Sequence, residues 1–388
     1  MDAFTFWNPT KIIFGKDQIA AIKNEIPSAN KVLLTFGGGS IKQNGVYSQL
    51  REVLKQHTLL EFGGIEANPT YETLMKAVEL VRREKIDFIL AAGGGSVIDG
   101  SKFIAAAANY PRDLDPWQIL IGGPAPESAL PLGTILTLPA TGSEMNSGSV
   151  ITKNATKDKV FFASPHCFPK FSVLDPSVTF SLPERQVANG IVDAFVHVLE
   201  QYLTYPVRAE IQDRFAEAIL QTLIAEGPKT FQNPTDFDSR ANFMWAATMA
   251  LNGLIGAGVP QDWTTHMIGH ELTALFGIDH GRTLAVIMPA TLKVMSETKK
   301  EKLLQYAERI WGLREGTSDM RIQLAISQTE NFFRSLGAET SLHYYGVREQ
   351  DLNAILDALV RHRMTRLGER GTVTIETCRR ILQTAAPA

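Results

Sequence analysis

The chain has 388 residues, of which 44 % are apolar and 20 % charged, and its formal net charge is −3. These values are typical of a globular protein with a buried core and exclude a disordered chain. The near-neutral charge argues against a nucleic-acid partner, because a phosphate-binding surface needs an excess of Lys and Arg. At roughly 150 residues per domain, the length predicts two or three domains.

The cysteines and the N-terminal residues limit the cellular setting. Cys167 and Cys378 are the two cysteines, which provide neither a disulfide framework nor a four-cysteine metal site. The chain has no apolar stretch of about 18 residues that could span a bilayer, and it begins without a secretion signal. We therefore expect a cytoplasmic protein with no membrane partner. Any metal ligands must come from the eight histidines and the carboxylates.

Up to residue 178, short apolar runs alternate with helical patterns, which is typical of a parallel sheet with crossover helices. Apolar residues at i, i+3, i+4 and i+7 predict a helix over Tyr71–Glu84. The predicted strands are Lys31–Phe36, Asp87–Ala92, Thr134–Leu138 and Phe171–Leu174.

Beyond residue 178, strand-like runs nearly disappear and long helical patterns replace them. Ser181 and Glu184 have the spacing of a capping box, with Pro183 in the first turn, so a helix is predicted to begin there. We divide the chain into an α/β domain, residues 1–178, and an all-helical domain, residues 179–388.

Two glycine loops follow predicted strands, Gly37–Ser40 and Gly93–Ser96. Tight strand-to-helix turns explain either loop alone, but two loops at the carboxyl ends of parallel strands favour nucleotide binding. The first loop offers backbone N–H groups, a hydroxyl and nearby Lys42 instead of the acidic side chain that usually binds a free ribose hydroxyl. This composition favours NADP over NAD.

Four histidines and an aspartate form a second constellation. Asp193 and His197 are four residues apart on a predicted helix, as are His266 and His270, and His280 follows. Three imidazoles and one carboxylate suit Zn²⁺ or Fe²⁺ and contain too much nitrogen for Mg²⁺ or Ca²⁺. A tetrahedral site that also binds substrate needs fewer than five protein ligands. One of the five candidates can therefore support the ligands without binding the metal, or transfer a proton.

Together these motifs resemble the iron-containing (group III) alcohol dehydrogenases. The resemblance rests on segment 6–15, the loop at 93–99, the Asp193/His197 pair and the spacing of the later histidines, and it covers most of the chain. The loops at 37–40 and 139–144 resemble the branch of NADPH-dependent butanol dehydrogenases and broad-range aldehyde reductases.

The resemblance implies a dehydroquinate-synthase-like fold: an N-terminal Rossmann-like, dinucleotide-binding domain, an all-α metal-binding and substrate domain, and a cleft between them. It implies one divalent metal per chain, Zn²⁺ or Fe²⁺, held by Asp193, His197, His266 and His280. His270 would lie near the reacting groups as a catalytic residue. The residues assigned to NADP(H) are Gly38, Gly39, Ser40, Asn68, Gly94, Gly95, Ser96, Asp99, Thr137, Asn146 and Lys159.

The expected activity is hydride transfer between NADP(H) and aldehydes or primary alcohols, acting as an aldehyde reductase in a homodimer. Two alternatives stay open. One is a metal-dependent cyclase or lyase of the same fold, although the helical half has no evident Lys/Arg cluster beside the histidines for a substrate phosphate. The other is a non-catalytic module that binds nucleotide and metal.

Overall fold

A computed structural model describes residues 1–386 and divides them into two compact units. The sheet unit consists of residues 7–183 and 234–248. The helical unit consists of residues 1–6, 184–233 and 249 onwards. Strands and helices are numbered in chain order.

The centre of the sheet unit is a six-stranded parallel sheet with the order β1-β8-β5-β4-β2-β3. Its strands are β1 (Lys11–Phe14), β2 (Lys31–Phe36), β3 (Thr58–Phe62), β4 (Phe88–Gly94), β5 (Leu132–Leu138) and β8 (Phe171–Leu174). Because β2 lies between β3 and β4, the chain reverses its direction across the sheet at β2. In open α/β sheets, ligands bind at such a point, outside the carboxyl ends of the strands.

Helices cover both faces of this sheet. They are α1 (Val46–Val53), α2 (Tyr71–Glu84) and α3 (Gly95–Asn109). Leu50 of α1 belongs to the apolar core on one face, whereas Val78 of α2 and Phe103 of α3 belong to the core on the other. The sheet strands alternate between these cores: Leu33 packs into one and Leu34 into the other. This is the pattern of a doubly wound α/β unit.

The helix Tyr71–Glu84 and the strands β2 and β8 have the bounds that the sequence predicts, and β4 and β5 agree within two residues at each end. The structure adds the edge strands β1 and β3, which the sequence analysis did not identify. It also adds an antiparallel hairpin of β6 (Gly148–Lys153) and β7 (Asp158–Ala163). Both edge strands are only partly buried, so they lack the long apolar run of a central strand.

The helical unit confirms the predicted change of class beyond the sheet. Its helices are α4 (Glu184–Tyr202), α5 (Glu210–Gln232), α7 (Thr264–Phe276), α8 (His280–Val294), α9 (Lys300–Arg309), α10 (Ser318–Ser335), α11 (Leu352–Arg361) and α12 (Ile375–Ala385). Up to residue 386, it departs from an all-helical unit at one short hairpin, β9 (Arg366–Leu367) and β10 (Val373–Thr374). Among residues 1–386, no helix is both long and apolar enough to cross a membrane.

The sheet unit also includes residues 234–248 and therefore most of α6 (Phe237–Ala250). Met244 of α6 packs into the core that contains α2 and α3. The hydroxyl of Thr248 donates a hydrogen bond of 2.5 Å to Oε1 of buried Glu144. The units thus differ from the single boundary predicted at residue 178: the first long stretch of the sheet unit ends at residue 183, and α6 joins it from far along the chain.

Candidate metal centre and dinucleotide site

Helix α4 places three ionisable side chains on one buried face. Asp193, His197 and Glu200 are four and three residues apart, a spacing that aligns side chains along a helix. Each is at most 4 % exposed. Burying three such groups together is costly unless each has a partner or a ligand, so this face is a candidate for a bound cation.

Two further histidines converge on Asp193. His266 lies in the first turn of α7, and His280 begins α8. The Nε2 atom of His197 lies 3.5 Å from Oδ1 of Asp193, and the Nε2 atoms of His266 and His280 each lie 3.7 Å from it. The nearest ligand atoms of Asp193, His266 and His280 are all within 4.8 Å of one another. Three donors of the predicted type therefore surround one small volume, and Nε2 of His197 lies beside the Asp193 carboxylate.

Close contact between α8 and α4 brings His280 to this cluster. A Cβ atom at Gly281 would lie 2.5 Å from the carbonyl oxygen of Asn189, so only glycine allows this approach. Asp279, just before α8, accepts hydrogen bonds from Arg185 Nε and Asn189 Nδ2 at 2.7 and 2.9 Å. The start of α8 is thus fixed against α4, one turn from Asp193.

The separations between Asp193 and the three histidines fit a tetrahedral metal ion. With metal–ligand bonds of roughly 2.0–2.2 Å, neighbouring ligand atoms lie about 3.4 Å apart, close to the 3.5 and 3.7 Å separations from Asp193 Oδ1. Within residues 1–386, the buried Nε2 atom of His266 makes no hydrogen bond. A buried nitrogen in that state is expected to have a ligand.

Glu200 supports this cluster, and the sequence analysis missed it. Its carboxylate hydrogen-bonds to Nδ1 of His266 through Oε2 and accepts the backbone N–H of Thr265 at 2.6 Å through Oε1. A carboxylate on the far nitrogen is the usual partner of a metal-binding histidine. The signal was present, since Glu200 follows Asp193 by seven residues and so shares its face of α4.

The rings of His197 and His266 stack with their centres 4.6 Å apart, and their surroundings shift their pKa values in opposite directions. Burial lowers the pKa of His197 to about 4, although Asp193 opposes the shift. Burial would also lower the pKa of His266, but the Glu200 and Asp193 carboxylates together outweigh it and raise that pKa to about 9. The neutral imidazole of His197 is the form that binds metals.

His270, the predicted catalytic residue, is buried beside this cluster. It lies one turn beyond His266 on α7, and its ring centre is 5.1 Å from that of His280 and 6.3 Å from that of His266. It is therefore a neighbour of the candidate ligands.

In the sheet unit, the two predicted glycine loops follow adjacent strands. Gly38 and Gly39 follow β2, and Ser40 begins a short 3₁₀ turn. A Cβ atom at Gly38 would meet no atom within 4 Å, so this loop is open. Lys42 stays beside it, with Nζ 5.1 Å from the ring centres of both Phe36 and Tyr47.

The second loop leads into the N-terminus of α3. Gly94 occupies the N-cap position and supplies no side-chain acceptor, so the first N–H groups of α3 remain available to an anion. Cβ atoms at Gly94 and Gly95 would lie 2.9 Å from the Leu138 side chain and 2.4 Å from that of Thr141. Glycine is required here because the end of β5 and the loop after it pack directly against this turn.

Several side chains assigned to the cofactor gather near this helix end. Lys159 Nζ donates a hydrogen bond of 2.8 Å to Oδ1 of Asn68, whose backbone N–H donates to Oγ of Ser96 at 3.3 Å. Thr137 lies near the end of β5 and is 7 % exposed. These residues bring an ammonium group and polar atoms to the first turn of α3.

Two other assigned residues are engaged with the protein itself. Both carboxylate oxygens of Asp99 accept hydrogen bonds, from Ser143 Oγ at 2.5 Å and from the N–H of Val150 at 2.9 Å. Oδ1 of Asn146 accepts from Lys102 Nζ at 3.0 Å and from the N–H of Gly148 at 2.9 Å. For these two side chains, the contacts indicate a structural task that the sequence did not predict.

Comparison with known proteins identifies the family of the chain. The family model described as iron-containing alcohol dehydrogenase matches residues 9–176, and the C-terminal model of the same family matches residues 187–386. The chain belongs to the iron-containing alcohol dehydrogenase family. The resemblance inferred from the motifs is thereby confirmed.

Within the iron-containing alcohol dehydrogenases, the chain is 57 % identical to the NADPH-dependent aldehyde reductase YqhD of Escherichia coli, over 99 % of this chain and 100 % of that protein. It is 42 % identical to a probable NADH-dependent butanol dehydrogenase of Bacillus subtilis, over 92 % and 93 % of the two chains.

Solved structures of iron-containing alcohol dehydrogenases share the fold. The crystal structure of E. coli YqhD superposes with a TM-score of 0.98 and covers 99 % of both chains at 57 % identity. The crystal structure of an NADH-dependent butanol dehydrogenase from Thermotoga maritima superposes with a TM-score of 0.95 at 38 % identity. The match covers 100 % of this chain and 99 % of the T. maritima chain. The predicted dehydroquinate-synthase-like fold is confirmed.

Proposed function

We propose that this protein is a metal-dependent oxidoreductase that transfers hydride between NADP(H) and aldehydes or primary alcohols, acting as an aldehyde reductase. The observation that carries the proposal is the buried cluster in which three imidazole nitrogens lie 3.5–3.7 Å from Oδ1 of Asp193. The substrate class follows the name of the E. coli relative, an NADPH-dependent aldehyde reductase that is 57 % identical.

Asp193, His197, His266 and His280 would hold the metal. When bound, a Zn²⁺ or Fe²⁺ ion supplies Lewis-acid polarisation of the substrate carbonyl. The Asp193 carboxylate would offset part of the ion's charge, and the three imidazoles would bind in their neutral form, for which His266 must first release its proton. Glu200 holds His266 with Nδ1 toward itself and Nε2 toward Asp193. The donor types suit Zn²⁺ and Fe²⁺ alike.

NADPH, when bound, supplies the hydride. We assign its adenosine phosphate to Gly38, Gly39 and Ser40 and its pyrophosphate to Gly94, Gly95 and Ser96, where the N–H groups of α3 begin. The remaining candidates, Asn68, Asp99, Thr137, Asn146 and Lys159, lie in the same unit. The NADP preference is supported by the open loop at Gly38 and by Lys42, whereas the B. subtilis relative is named as NADH-dependent.

Reduction of a carbonyl also needs a proton for the oxygen atom. We propose that His270 supplies it, because this buried ring lies 5.1 Å from the ring of His280, a candidate ligand. A side chain at that distance is near the place where the carbonyl oxygen would be held. Replacing His270 with Phe should lower kcat far more than metal content.

We propose further that the protein acts as a homodimer in the cytoplasm, without nucleic-acid or membrane partners. The family resemblance supports the dimer. Cys167 and Cys378 are buried free thiols, which agrees with a reducing compartment. Light scattering of the purified protein measures the assembly directly, and a monomer mass would contradict the dimer.

One assay tests the proposed reaction. NADPH absorbance is followed with a panel of aldehydes, using protein as purified, after chelation, and after addition of Zn²⁺ or Fe²⁺ under anaerobic conditions. Aldehyde-dependent NADPH oxidation that disappears on chelation and returns with metal supports the proposal. Unchanged turnover in metal-free protein would overturn the mechanism. Binding of NADPH and metal without oxidation of NADPH would indicate a non-catalytic module instead.

A further inference from the structure

A lysine buried within helix α3 bonds to one neighbouring segment of the chain. Lys102 is 0 % exposed, and its ammonium group has three protons to donate. They go to Ser143 Oγ at 2.8 Å, Asn146 Oδ1 at 3.0 Å and the carbonyl oxygen of Gly148 at 2.8 Å. All three acceptors belong to the segment that leads into strand β6 and includes its first residue, Gly148.

Asp99, one turn earlier on α3, holds the same segment. Its carboxylate accepts hydrogen bonds from Ser143 Oγ and from the N–H of Val150, and its carbonyl oxygen accepts from Ser149 Oγ at 2.8 Å. Residues 143–150 thus accept all three protons of a buried ammonium group and donate to both oxygens of a nearby carboxylate. Hydrogen bonds to charged groups are stronger than those between neutral groups, so this contact should be rigid.

The clamped segment continues into the β6–β7 hairpin, which carries Lys159. In this hairpin Thr152 of β6 pairs with Lys159 of β7. Lys159 is 7 % exposed, and its Nζ donates to Asn68, whose N–H in turn contacts Ser96 in the first turn of α3. The contacts therefore form a closed loop that begins and ends on α3.

We propose that Asp99 and Lys102 are positioning residues that hold Lys159 at the N-terminus of α3 for binding of the dinucleotide pyrophosphate. This inference rests on the proposed function, in which that helix end binds NADPH. An ammonium group and free helix N–H groups both attract a phosphate. Their joint effect depends on the position of the hairpin, which Asp99 and Lys102 fix through their hydrogen bonds to residues 143–150.

A double-mutant cycle tests this positioning role. NADPH dissociation constants are measured by fluorescence titration for the wild type, Lys102→Met, Lys159→Met and the double variant, with the metal-loaded protein and no aldehyde. Loss of one charge-assisted contact is expected to raise Kd about tenfold. If Lys102 acts through Lys159, both single variants rise by a similar factor and the double variant rises no further.

Lys157→Met is the matched control, since it removes the same charge from the exposed turn of the same hairpin. It should leave Kd within about twofold of the wild type. If Lys102→Met does not fold, Ser143→Ala removes one shared contact of Lys102 and Asp99 and should show the same lack of additivity with Lys159→Met. Metal content, which a general loss of structure would lower, should stay unchanged in every folded variant.

The outcomes separate the two proposals. If Lys159→Met leaves Kd unchanged, the cofactor site at this helix end is wrong and the positioning role is wrong with it. If Lys159→Met weakens binding but Lys102→Met does not, or if the two effects multiply in the double variant, the cofactor site stands and the positioning role is overturned.

Discussion

The imidazole of His266 hydrogen-bonds to the carboxylate of Glu200 through Nδ1, and its Nε2 atom lies 3.7 Å from Oδ1 of Asp193. The first contact orients the ring, and the second places the other nitrogen in the candidate metal cluster. Glu200 and Asp193 are two turns apart on the same helix, so α4 supplies both a ligand and the residue that orients another ligand.

Glu200→Gln should weaken metal binding about 10- to 100-fold, the usual effect of removing a carboxylate partner from a metal-binding histidine. The measurement is competition with a chromophoric chelator on metal-free protein. Glu217→Gln is the control, because Glu217 is also a buried glutamate of this unit but bonds to Tyr202 and Arg214. Equal metal affinity in Glu200→Gln and the wild type would contradict the orienting role.

Metal binding should stabilise the helical unit, because the ligands come together only in the folded chain. At a free metal concentration of about 1,000 times Kd, the gain is about 4 kcal/mol. Calorimetry of metal-free protein with and without Zn²⁺ should therefore show a rise in Tm.

His266→Ala should abolish that rise, together with metal content and aldehyde-dependent NADPH oxidation. His343→Ala, which removes an exposed histidine, should retain all three. A metal-induced rise of the same size in His266→Ala would place the ion elsewhere.

Gly38→Asp should change the cofactor preference toward NADH. The loop has room for the side chain, since a Cβ atom at Gly38 meets nothing within 4 Å. The new carboxylate would repel a 2′-phosphate and could accept hydrogen bonds from a free ribose hydroxyl. We expect the ratio of kcat/KM for NADPH to that for NADH to fall at least about tenfold, or about 1.4 kcal/mol.

Gly38→Ala is the control for this change and should preserve the ratio, because it adds bulk without charge. If Gly38→Asp and the wild type have the same ratio of kcat/KM for NADPH to that for NADH, the first glycine loop does not select the cofactor.

Lys102 should make folding stability depend on pH in the alkaline range. Burial lowers the pKa of Lys102 from 10.5 to about 8, against the opposing effect of Asp99. Between pH 8 and 10.5 the folded chain has released this proton and the unfolded chain still binds it, so the contribution of Lys102 to stability rises with pH. At about 1.4 kcal/mol for each pH unit of the difference, the rise approaches about 3 kcal/mol.

Urea unfolding is measured for the metal-free wild type and for Lys102→Met at pH 8 and pH 10. The difference between their free energies of unfolding should be larger at pH 10 than at pH 8. Lys157→Met is the charge-matched control, for which that difference should stay nearly constant. A constant difference for Lys102→Met would mean that Lys102 keeps its ordinary proton affinity when buried.

An element of the fold could be predicted from the sequence where its own residues carry a clear apolar pattern. The strand Lys31–Phe36 and the helix Tyr71–Glu84 match their predicted bounds because each has a clear apolar period and clear ends. β1 and β3 were missed because edge strands are half-buried and short. Their place in the sheet depends on partners far along the chain: Lys11 pairs with Phe171.

In the candidate site, too, local spacing could be predicted and contacts between distant residues could not. The histidine spacing could be found in the sequence, since helical periodicity relates Asp193 to His197 and His266 to His270. The contacts of Asp99 could not, because Ser143 and Val150 lie 44 and 51 residues downstream. Family resemblance assigned Asp99 to the cofactor, and the structure adds bonds within the protein that no local pattern encodes.

The inclusion of residues 234–248 in the sheet unit has a consequence for how the protein can be divided and synthesised. A fragment that ends at residue 183 would lack Thr248, which donates a hydrogen bond to buried Glu144, and Met244, which fills part of the apolar core. Neither unit is therefore a contiguous piece of the gene product. During translation the sheet unit cannot complete its core until α4 and α5 have left the ribosome, so exposed apolar surface must persist while those two helices are made.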